Sequence, residues 1–356
     1  MRPIATCVLV SLIIGGVFCV PCSAAQGSAG IGSPAQGNQD FERGLAEFRA
    51  GSYSSAAADF ARAEAASPGT TDALLYQGKC FVHLEDFEGA ERALRNYLSA
   101  HRDSADATYL LGFVLHRENR PAESLAAYTK GAALVSPTAD DLKIVGLDYV
   151  LLDDYPDAIR WLEKAVEIDA KNKDAWYYLG RAYYTRSRLA EARKAFLKLL
   201  DLDPHDVRAE NNLGLILETE GQPAAAIDAY RRAIAWQADS LRPSEQPYVN
   251  LGSLLMEQGQ IKDALEPLQK AVEVAPASAY CRLKLGMYYR KVGQLESAQT
   301  ELEKAAQLAP NNAATHYQLG RVYKELHAID RAQAEFDRAA ELQAKAAGSK
   351  SASPIQ

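Results

Sequence analysis

The sequence predicts an all-α protein built from about nine stacked helix–turn–helix repeats. A glycine recurs at intervals of 34 residues, with one interval of 38, and a small side chain lies twelve residues after each glycine. Four residues further on there is always a large apolar side chain. One helical hairpin cannot bury its apolar face alone, so the repeats are expected to stack. The repeated glycines are Gly44, Gly78, Gly112, Gly146, Gly180, Gly214, Gly252, Gly286 and Gly320.

The N-terminus is typical of a secretory signal peptide, which we expect at residues 1–25. Arg2 precedes a mostly apolar stretch, Cys7–Val20, and the small residues Ser23–Ala25 that follow favour cleavage after Ala25. A retained membrane anchor is the alternative, but the apolar stretch is shorter than the roughly 18 residues of a spanning helix. We therefore expect a periplasmic or secreted protein without a stable membrane span.

One repeat, residues 173–206, shows how each unit is expected to fold. Leu179 and Tyr183 recur at helical spacing and mark one apolar stripe, and Phe196 belongs to a second stripe further on. Ser187 lies between the stripes, at a position where other units have glycine, the residue that favours a helix-ending turn. The pattern predicts two antiparallel helices joined by a tight turn.

The same stretch resembles the tetratricopeptide repeat signature, and the resemblance covers residues 37–346. It implies an α-α superhelix with a groove that binds a ligand. We expect a disordered linker at 26–36 and a disordered tail at 347–356, where Gly, Ser, Ala or Gln dominate. The matching residues are Trp176, Leu179, Gly180, Tyr183, Ala192, Phe196 and Pro204. The expected repeats are 37–70, 71–104, 105–138, 139–172, 173–206, 207–240, 245–278, 279–312 and 313–346.

Charge and motifs argue against nucleic acid binding and against catalysis. The net charge is −7, whereas a nucleic-acid-binding protein usually carries a basic stripe. The six histidines include no pair at helical metal-binding spacing, and the sequence has no HExxH, phosphate-binding loop or GxSxG motif. The acidic pairs Asp140–Asp141 and Asp153–Asp154 fall at a helix start and at a turn, where carboxylates cap helices. We expect no enzyme activity, no cofactor and no metal.

Two cysteines, Cys80 and Cys281, lie beyond the expected cleavage site. They belong to the second and eighth repeats, and a disulfide needs Cα atoms within about 7 Å. We expect two buried or half-buried free thiols, and a disulfide bridge to a second molecule is the alternative.

The expected groove is lined by first-helix positions 2, 5, 9 and 12 of each repeat, with positions 6 and 13 at its margin. Helical geometry places positions 2, 5, 9 and 12 well away from the core stripe, and the family resemblance implies that they form the groove. Aromatic and arginine side chains, which dominate binding hot spots, are frequent there, and they favour an extended, acidic peptide as ligand. The lysine and asparagine pattern with which related proteins bind a C-terminal carboxylate is absent, since Lys143 is followed by Leu147 where asparagine would be needed. The candidate peptide-binding residues are Tyr109, Phe113, Tyr177, Arg181, Tyr184, Asn212, Asn250, Arg290, Tyr317 and Arg321.

These observations predict an exported, non-enzymatic scaffold that binds a protein or peptide. An accessory or recognition subunit of a cell-envelope enzyme or assembly machine is the alternative. Self-association through the ends of the array also stays open, although the charged residues of the last helix, such as Asp330, Arg331 and Glu341, favour a helix that caps the array itself.

Overall fold

The computed structural model describes residues 33–69 and 72–351, so the predicted signal peptide and the linker up to residue 32 lie outside the described residues. Every regular element in these ranges is an α-helix, which confirms the all-α prediction. The helices are α1 (Pro34–Arg49), α2 (Tyr53–Ala66), α3 (Ala73–His83), α4 (Phe87–Ala100), α5 (Ala105–Arg117), α6 (Pro121–Ala132), α7 (Ala139–Leu151), α8 (Tyr155–Ile168), α9 (Lys173–Thr185), α10 (Leu189–Leu202), α11 (Val207–Thr219), α12 (Pro223–Trp236), α13 (Gln246–Glu257), α14 (Ile261–Val274), α15 (Ala279–Lys291), α16 (Leu295–Leu308), α17 (Ala313–Glu325) and α18 (Ile329–Ser351).

A left-handed residue ends the first helix of every repeat. Ser187 has φ 58° and Gly221, in the same register of the next repeat, has φ 73°. Glycine adopts this conformation without the steric penalty that a Cβ brings, which explains its presence in four of the nine turns. The turn residues are Gly51, Glu85, Asn119, Asp153, Ser187, Gly221, Gly259, Gly293 and His327.

The repeated glycines lie where the two helices of a repeat approach closely. A Cβ added to Gly180 would lie 2.7 Å from Cε1 of Phe196, which is fully buried. A methyl group therefore has no room there, and this explains why the sequence keeps glycine 16 residues before the large side chain. The same contact is found in the pairs Gly44–Phe60, Gly112–Tyr128, Gly146–Leu162, Gly214–Tyr230, Gly252–Leu268, Gly286–Leu302 and Gly320–Phe336.

The chain divides into two compact units, of which the first comprises the described residues up to Asp86 and contains α1–α3. α1 begins at Pro34, inside the predicted disordered linker, which corrects that boundary by three residues. The reason is local: the Ser33 side chain caps the helix by accepting a hydrogen bond from the backbone N–H of Gln36, and proline fits the first turn.

Two buried carboxylates of the first unit are each paired with arginines. Asp40 and Asp59 are 4% and 1% exposed, and Arg43 and Arg62 each bind both of them. Burial raises the pKa of Asp40, but the hydrogen bonds from Arg43 and Gln36 outweigh it and leave that pKa below its usual value. The carboxylates are thus compensated, as buried charges must be.

The second unit comprises the described residues from Phe87 and contains α4–α18. Each of these helices packs against the next one along the chain, and neighbouring hairpins bury their apolar side chains together in shared clusters. Leu162, Leu179, Phe196 and Ile216, from four successive helices, belong to a single buried cluster. The stacking that the sequence predicts is therefore present from repeat to repeat within this unit.

The four extra residues of the long interval form a closed loop between α12 and α13. The Gln237 side chain, 4% exposed, binds the backbone of Ser244 twice, since its Nε2 donates to the carbonyl oxygen and its Oε1 accepts from the N–H, both at 2.8 Å. Leu241, between them, is fully exposed. The two hydrogen bonds thus close the inserted loop at its base.

The last helix, α18, continues to Ser351, whereas the sequence predicts a disordered tail from 347. Its extension by five residues is a correction of that boundary. Adding a residue to a formed helix needs no new nucleus, and the preceding Ala, Gln and Lys residues are strong helix formers. Residues 352–356 lie outside the described residues.

Cys80 and Cys281 are buried free thiols, as expected. Burial raises the pKa of Cys80 to about 11 and also raises the pKa of Cys281. Neither thiol therefore has the thiolate character that a reactive cysteine needs.

Candidate functional site

One surface of the second unit, which we call the first-helix face, is formed by the first helices of its hairpins: α5, α7, α9, α11, α13, α15 and α17. Polar side chains connect neighbouring helices on it. Asn250 of α13 donates to Oδ1 of Asn211 on α11 at 2.9 Å, and the Tyr184 and Thr219 hydroxyls of α9 and α11 lie 3.1 Å apart. These contacts fix the spacing of the face.

The middle of the first-helix face combines aromatic rings and cations. Arg208 of α11 lies over the ring of Tyr177 of α9, with 4.6 Å from its guanidinium carbon to the ring centroid, and binds Asp174 at 3.0 Å. Arg181 lies 5.9 Å from the same ring and is exposed. The predicted residues Tyr177, Arg181 and Tyr184 thus share one helix, and Arg181 is the cation among them that solvent reaches.

The C-terminal part of the face is basic. Arg290 of α15 binds Glu325 of α17 at 2.9 Å, and Arg321 lies 6.0 Å from the ring of Tyr317. Tyr317 is 47% exposed, an unusual exposure for a large aromatic side chain. Arg290, Tyr317 and Arg321 therefore lie on neighbouring helices of one surface.

The remaining predicted residues are engaged inside the protein. The Tyr109 hydroxyl donates to the carbonyl of Val135 at 2.6 Å, and Asn212 donates to the carbonyl of Arg208 at 2.7 Å. Asn250 donates to Asn211, as described above, and Phe113 lies under Arg117 at 5.9 Å. These contacts lie within the protein, and contact with a ligand stays a prediction for these four residues as for the other candidates.

One residue of each acidic pair caps a helix. Thr138 and Asp141 form a reciprocal capping box at the start of α7, and Asp154 accepts from the backbone N–H of Asp157 at the start of α8. Hydrogen bonds from Lys143 and Asn172 hold the pKa of Asp140 below its usual value. Asp141 and Asp154 therefore cap helices, as the sequence predicts.

Sequence reasoning missed a buried acid–base pair between α5 and α7. Asp148 is fully buried, and its Oδ1 lies 2.7 Å from Nδ1 of His116, while its Oδ2 has no partner. The signal was available, because Asp148 stands two residues after a repeated glycine, where the neighbouring repeats have Val114 and Ala182. A carboxylate in this register needs a partner from the adjacent hairpin.

Neither a metal site nor a membrane span is found within residues 33–69 and 72–351. Among these residues, no group of three or more His, Cys, Asp or Glu side chains is placed to hold a metal ion. None of the helices in the described part of the chain has the length and apolar character needed to cross a bilayer.

The family models that match this chain cover most of it. Two models described as Tetratricopeptide repeat and one described as TPR repeat match successive segments. The matched segments are 41–91, 81–136, 146–207, 189–243, 245–278, 287–326 and 313–345.

Curated relatives share parts of the chain. The BBSome complex member BBS4 of Bos taurus is 24% identical over 218 residues, which are 60% of this chain and 41% of that protein. The type IV pilus assembly protein PilF of Pseudomonas aeruginosa is 30% identical over 99 residues, which are 28% of this chain and 38% of that protein. The chain thus spans about two fifths of the length of these two relatives.

Solved structures share the fold. A tetratricopeptide repeat protein from Parabacteroides merdae has a TM-score of 0.59 at 17% identity and covers 70% of this chain and 97% of its own. The structure of Pseudomonas aeruginosa PilF has a TM-score of 0.50 at 22% identity and covers 58% of this chain and 97% of its own. Period, glycine contacts, turn conformation and family models agree: the chain belongs to the tetratricopeptide repeat family.

Proposed function

We propose that this protein is a non-enzymatic scaffold that binds an extended segment of a partner protein along its first-helix face. The observation that carries the proposal is the cluster of rings and cations on α9 and α11, where Arg181 is exposed beside Tyr177 and Tyr184. Aromatic and arginine side chains supply most of the binding energy at protein interfaces. The family membership supports the same role, since stacked helical repeats form extended binding surfaces.

Affinity capture tests the proposal. The chain from residue 26 onward is immobilised and exposed to an extract of its source organism, from which it is expected to retain a partner. The Arg181→Ala, Tyr184→Ala variant is expected to retain at least about tenfold less of that partner. Quantitative mass spectrometry of the retained proteins measures the ratio. Arg181 is exposed and Tyr184 is half-buried, so the variant should keep its thermal unfolding midpoint within a few degrees.

The matched control removes two cations from the second helices of hairpins. Arg160 and Arg231 are 55% and 58% exposed and lie on α8 and α12. The Arg160→Ala, Arg231→Ala variant is expected to retain the partner like the unaltered protein. Equal retention by the Arg181 variant, or equal loss by the control, would contradict the assignment of the first-helix face.

A second candidate role is an accessory subunit of a cell-envelope enzyme or assembly machine. The similarity to the type IV pilus assembly protein PilF favours it, because that relative is named for the assembly of a pilus. In this case the captured partner would itself be an envelope component. Self-association through the ends of the array is distinguished from both roles by the mass of the purified protein in solution.

We also propose that the protein is exported and cleaved after Ala25. The short apolar stretch and the small residues before that position support the proposal. Full-length protein produced in a bacterial host is expected in the periplasmic or extracellular fraction, with Gln26 as its first residue in N-terminal sequencing. Recovery from the cytoplasm with Met1 or Arg2 intact would refute export.

A further inference from the structure

A basic pocket opens on the first-helix face between α13 and α15. Its volume is about 220 Å³, enough for one side chain of a bound segment. Ser253 and Glu257 line it from α13, and Lys284, Arg290 and Lys291 line it from α15. Three cations thus meet two carboxylates, Glu257 and the Glu325 partner of Arg290, in a protein whose net charge is −7. Such local reversal of charge concentrates anions at a site.

Two polar atoms of this pocket lack partners. The Ser253 hydroxyl oxygen and Nε of Arg290 are buried and have no hydrogen-bond partner. Nη1 of the same arginine binds Glu325 at 2.9 Å, so the guanidinium is only partly satisfied. Buried polar atoms without partners destabilise a protein, and two of them in one pocket indicate a group that is supplied from outside.

The two lysines of the pocket differ in their engagement. Nζ of Lys291 donates to the carbonyl of Met256 at 3.0 Å. Nζ of Lys284 lies 5.4 Å from the ring of Tyr280 and makes no ion pair with any described residue. Lys284 is therefore the cation that is available to a ligand at the mouth of the pocket.

We infer that this pocket binds the carboxylate of an aspartate or glutamate side chain in the partner segment, an inference that rests on the proposed function. The ammonium of Lys284 attracts the carboxylate, Arg290 turns from Glu325 towards it, and the Ser253 hydroxyl donates the remaining hydrogen bond. Met287 gives the pocket an apolar wall that suits the methylene groups of such a side chain. A side chain suits the position better than a chain end, because first helices α11 and α17 continue the face on both sides.

Peptide selection tests the inference. A display library of internal random peptides, with no free chain end, is selected on the protein, and the affinities of the enriched peptides are measured by fluorescence anisotropy. The expected peptides carry Asp or Glu at one fixed position, and changing that residue to its amide weakens binding about tenfold to a hundredfold, as loss of a charge-assisted hydrogen bond should. Arg290→Met is expected to abolish the difference between acid and amide.

Three variants serve as controls. Ser253→Ala removes a hydroxyl that has no partner inside the protein, so it should weaken binding a few-fold without lowering the unfolding midpoint. Arg290→Lys keeps the charge and should keep the preference for acid over amide at reduced affinity, even if Arg290→Met folds poorly. Arg231→Met, on α12, should change nothing.

The outcomes separate the two proposals. Peptides that bind without any acidic residue, or whose preference survives Arg290→Met, would overturn the pocket assignment and leave the scaffold role intact. If the internal library yields no binder, peptides that end in a free C-terminal carboxylate and peptides that carry a phosphate are tested separately, and binding restricted to either kind would overturn the pocket assignment and leave the scaffold role intact. Failure of the unaltered protein to bind any of these peptides would instead count against the proposed function itself.

Discussion

Replacing Phe196 with alanine is expected to lower the free energy of unfolding by about 3–5 kcal/mol. Phe196 is fully buried, and its ring fills the space that Gly180 leaves open. The surrounding helices cannot collapse onto the cavity, since the glycine has no side chain to offer. Because stacked repeats are coupled only to their neighbours, we also expect a broader urea transition, with the array divided at the fifth repeat.

The adjacent residue provides the control for this measurement. Leu197 lies on the same helix and is 49% exposed, so Leu197→Ala should cost about 1 kcal/mol or less. Urea titrations followed by circular dichroism at 222 nm give both values. Equal losses for the two variants would mean that the glycine–aromatic contact does not hold the hairpin together.

Replacing His116 with alanine is expected to cost about 3 kcal/mol or more, a large effect for a residue near the surface. The reason is its partner, since Asp148 is fully buried and its second carboxylate oxygen has no hydrogen bond. Without the imidazole the carboxylate is left buried and uncompensated. Chemical denaturation of the single variant measures the loss.

A double replacement provides the matched comparison. His116→Leu with Asp148→Val removes both polar groups and places at position 148 the residue that Val114 already supplies in the preceding repeat. Its stability is expected to return to that of the unaltered protein or to exceed it, because two buried hydrogen-bonded polar groups can be replaced together by apolar residues with little loss. A double variant as unstable as His116→Ala would show that the pair stabilises the stack in its own right.

The repeat architecture was predictable because it depends on the spacing between residues that are close together in the sequence. Gly180 and Phe196 are 16 residues apart, and their contact lies within one hairpin, so the sequence alone shows that one is small because the other is large. The turn at Ser187 follows in the same way from the glycines of equivalent turns. The pairing of His116 with Asp148 was not predicted, since it depends on how two hairpins are placed against each other.

The candidate site was predictable only in part. Folding restricts which residues can occupy the buried positions of each repeat, so those positions follow a pattern in the sequence. The surface positions of the first helices can vary without loss of the fold, and only the resemblance to the family indicated that they line a groove. The pattern located the ring and cation cluster of Tyr177 and Arg181, but it also selected Tyr109 and Asn212, whose polar atoms bind backbone carbonyls. Arg290 was among the predicted residues, but its pocket partner Ser253 was not, because a serine among apolar residues gives no signal in the sequence.

The closed loop between α12 and α13 has a consequence for how this molecule can change. The Gln237 amide forms two hydrogen bonds with the backbone of Ser244. The segment between them, which carries Leu241, can therefore lengthen or shorten without altering the hairpin on either side. The number of residues at this junction is thereby uncoupled from the helical register of the array. Residues that form a linker or a second binding element can therefore be inserted there during evolution, while the stacked helices keep their spacing.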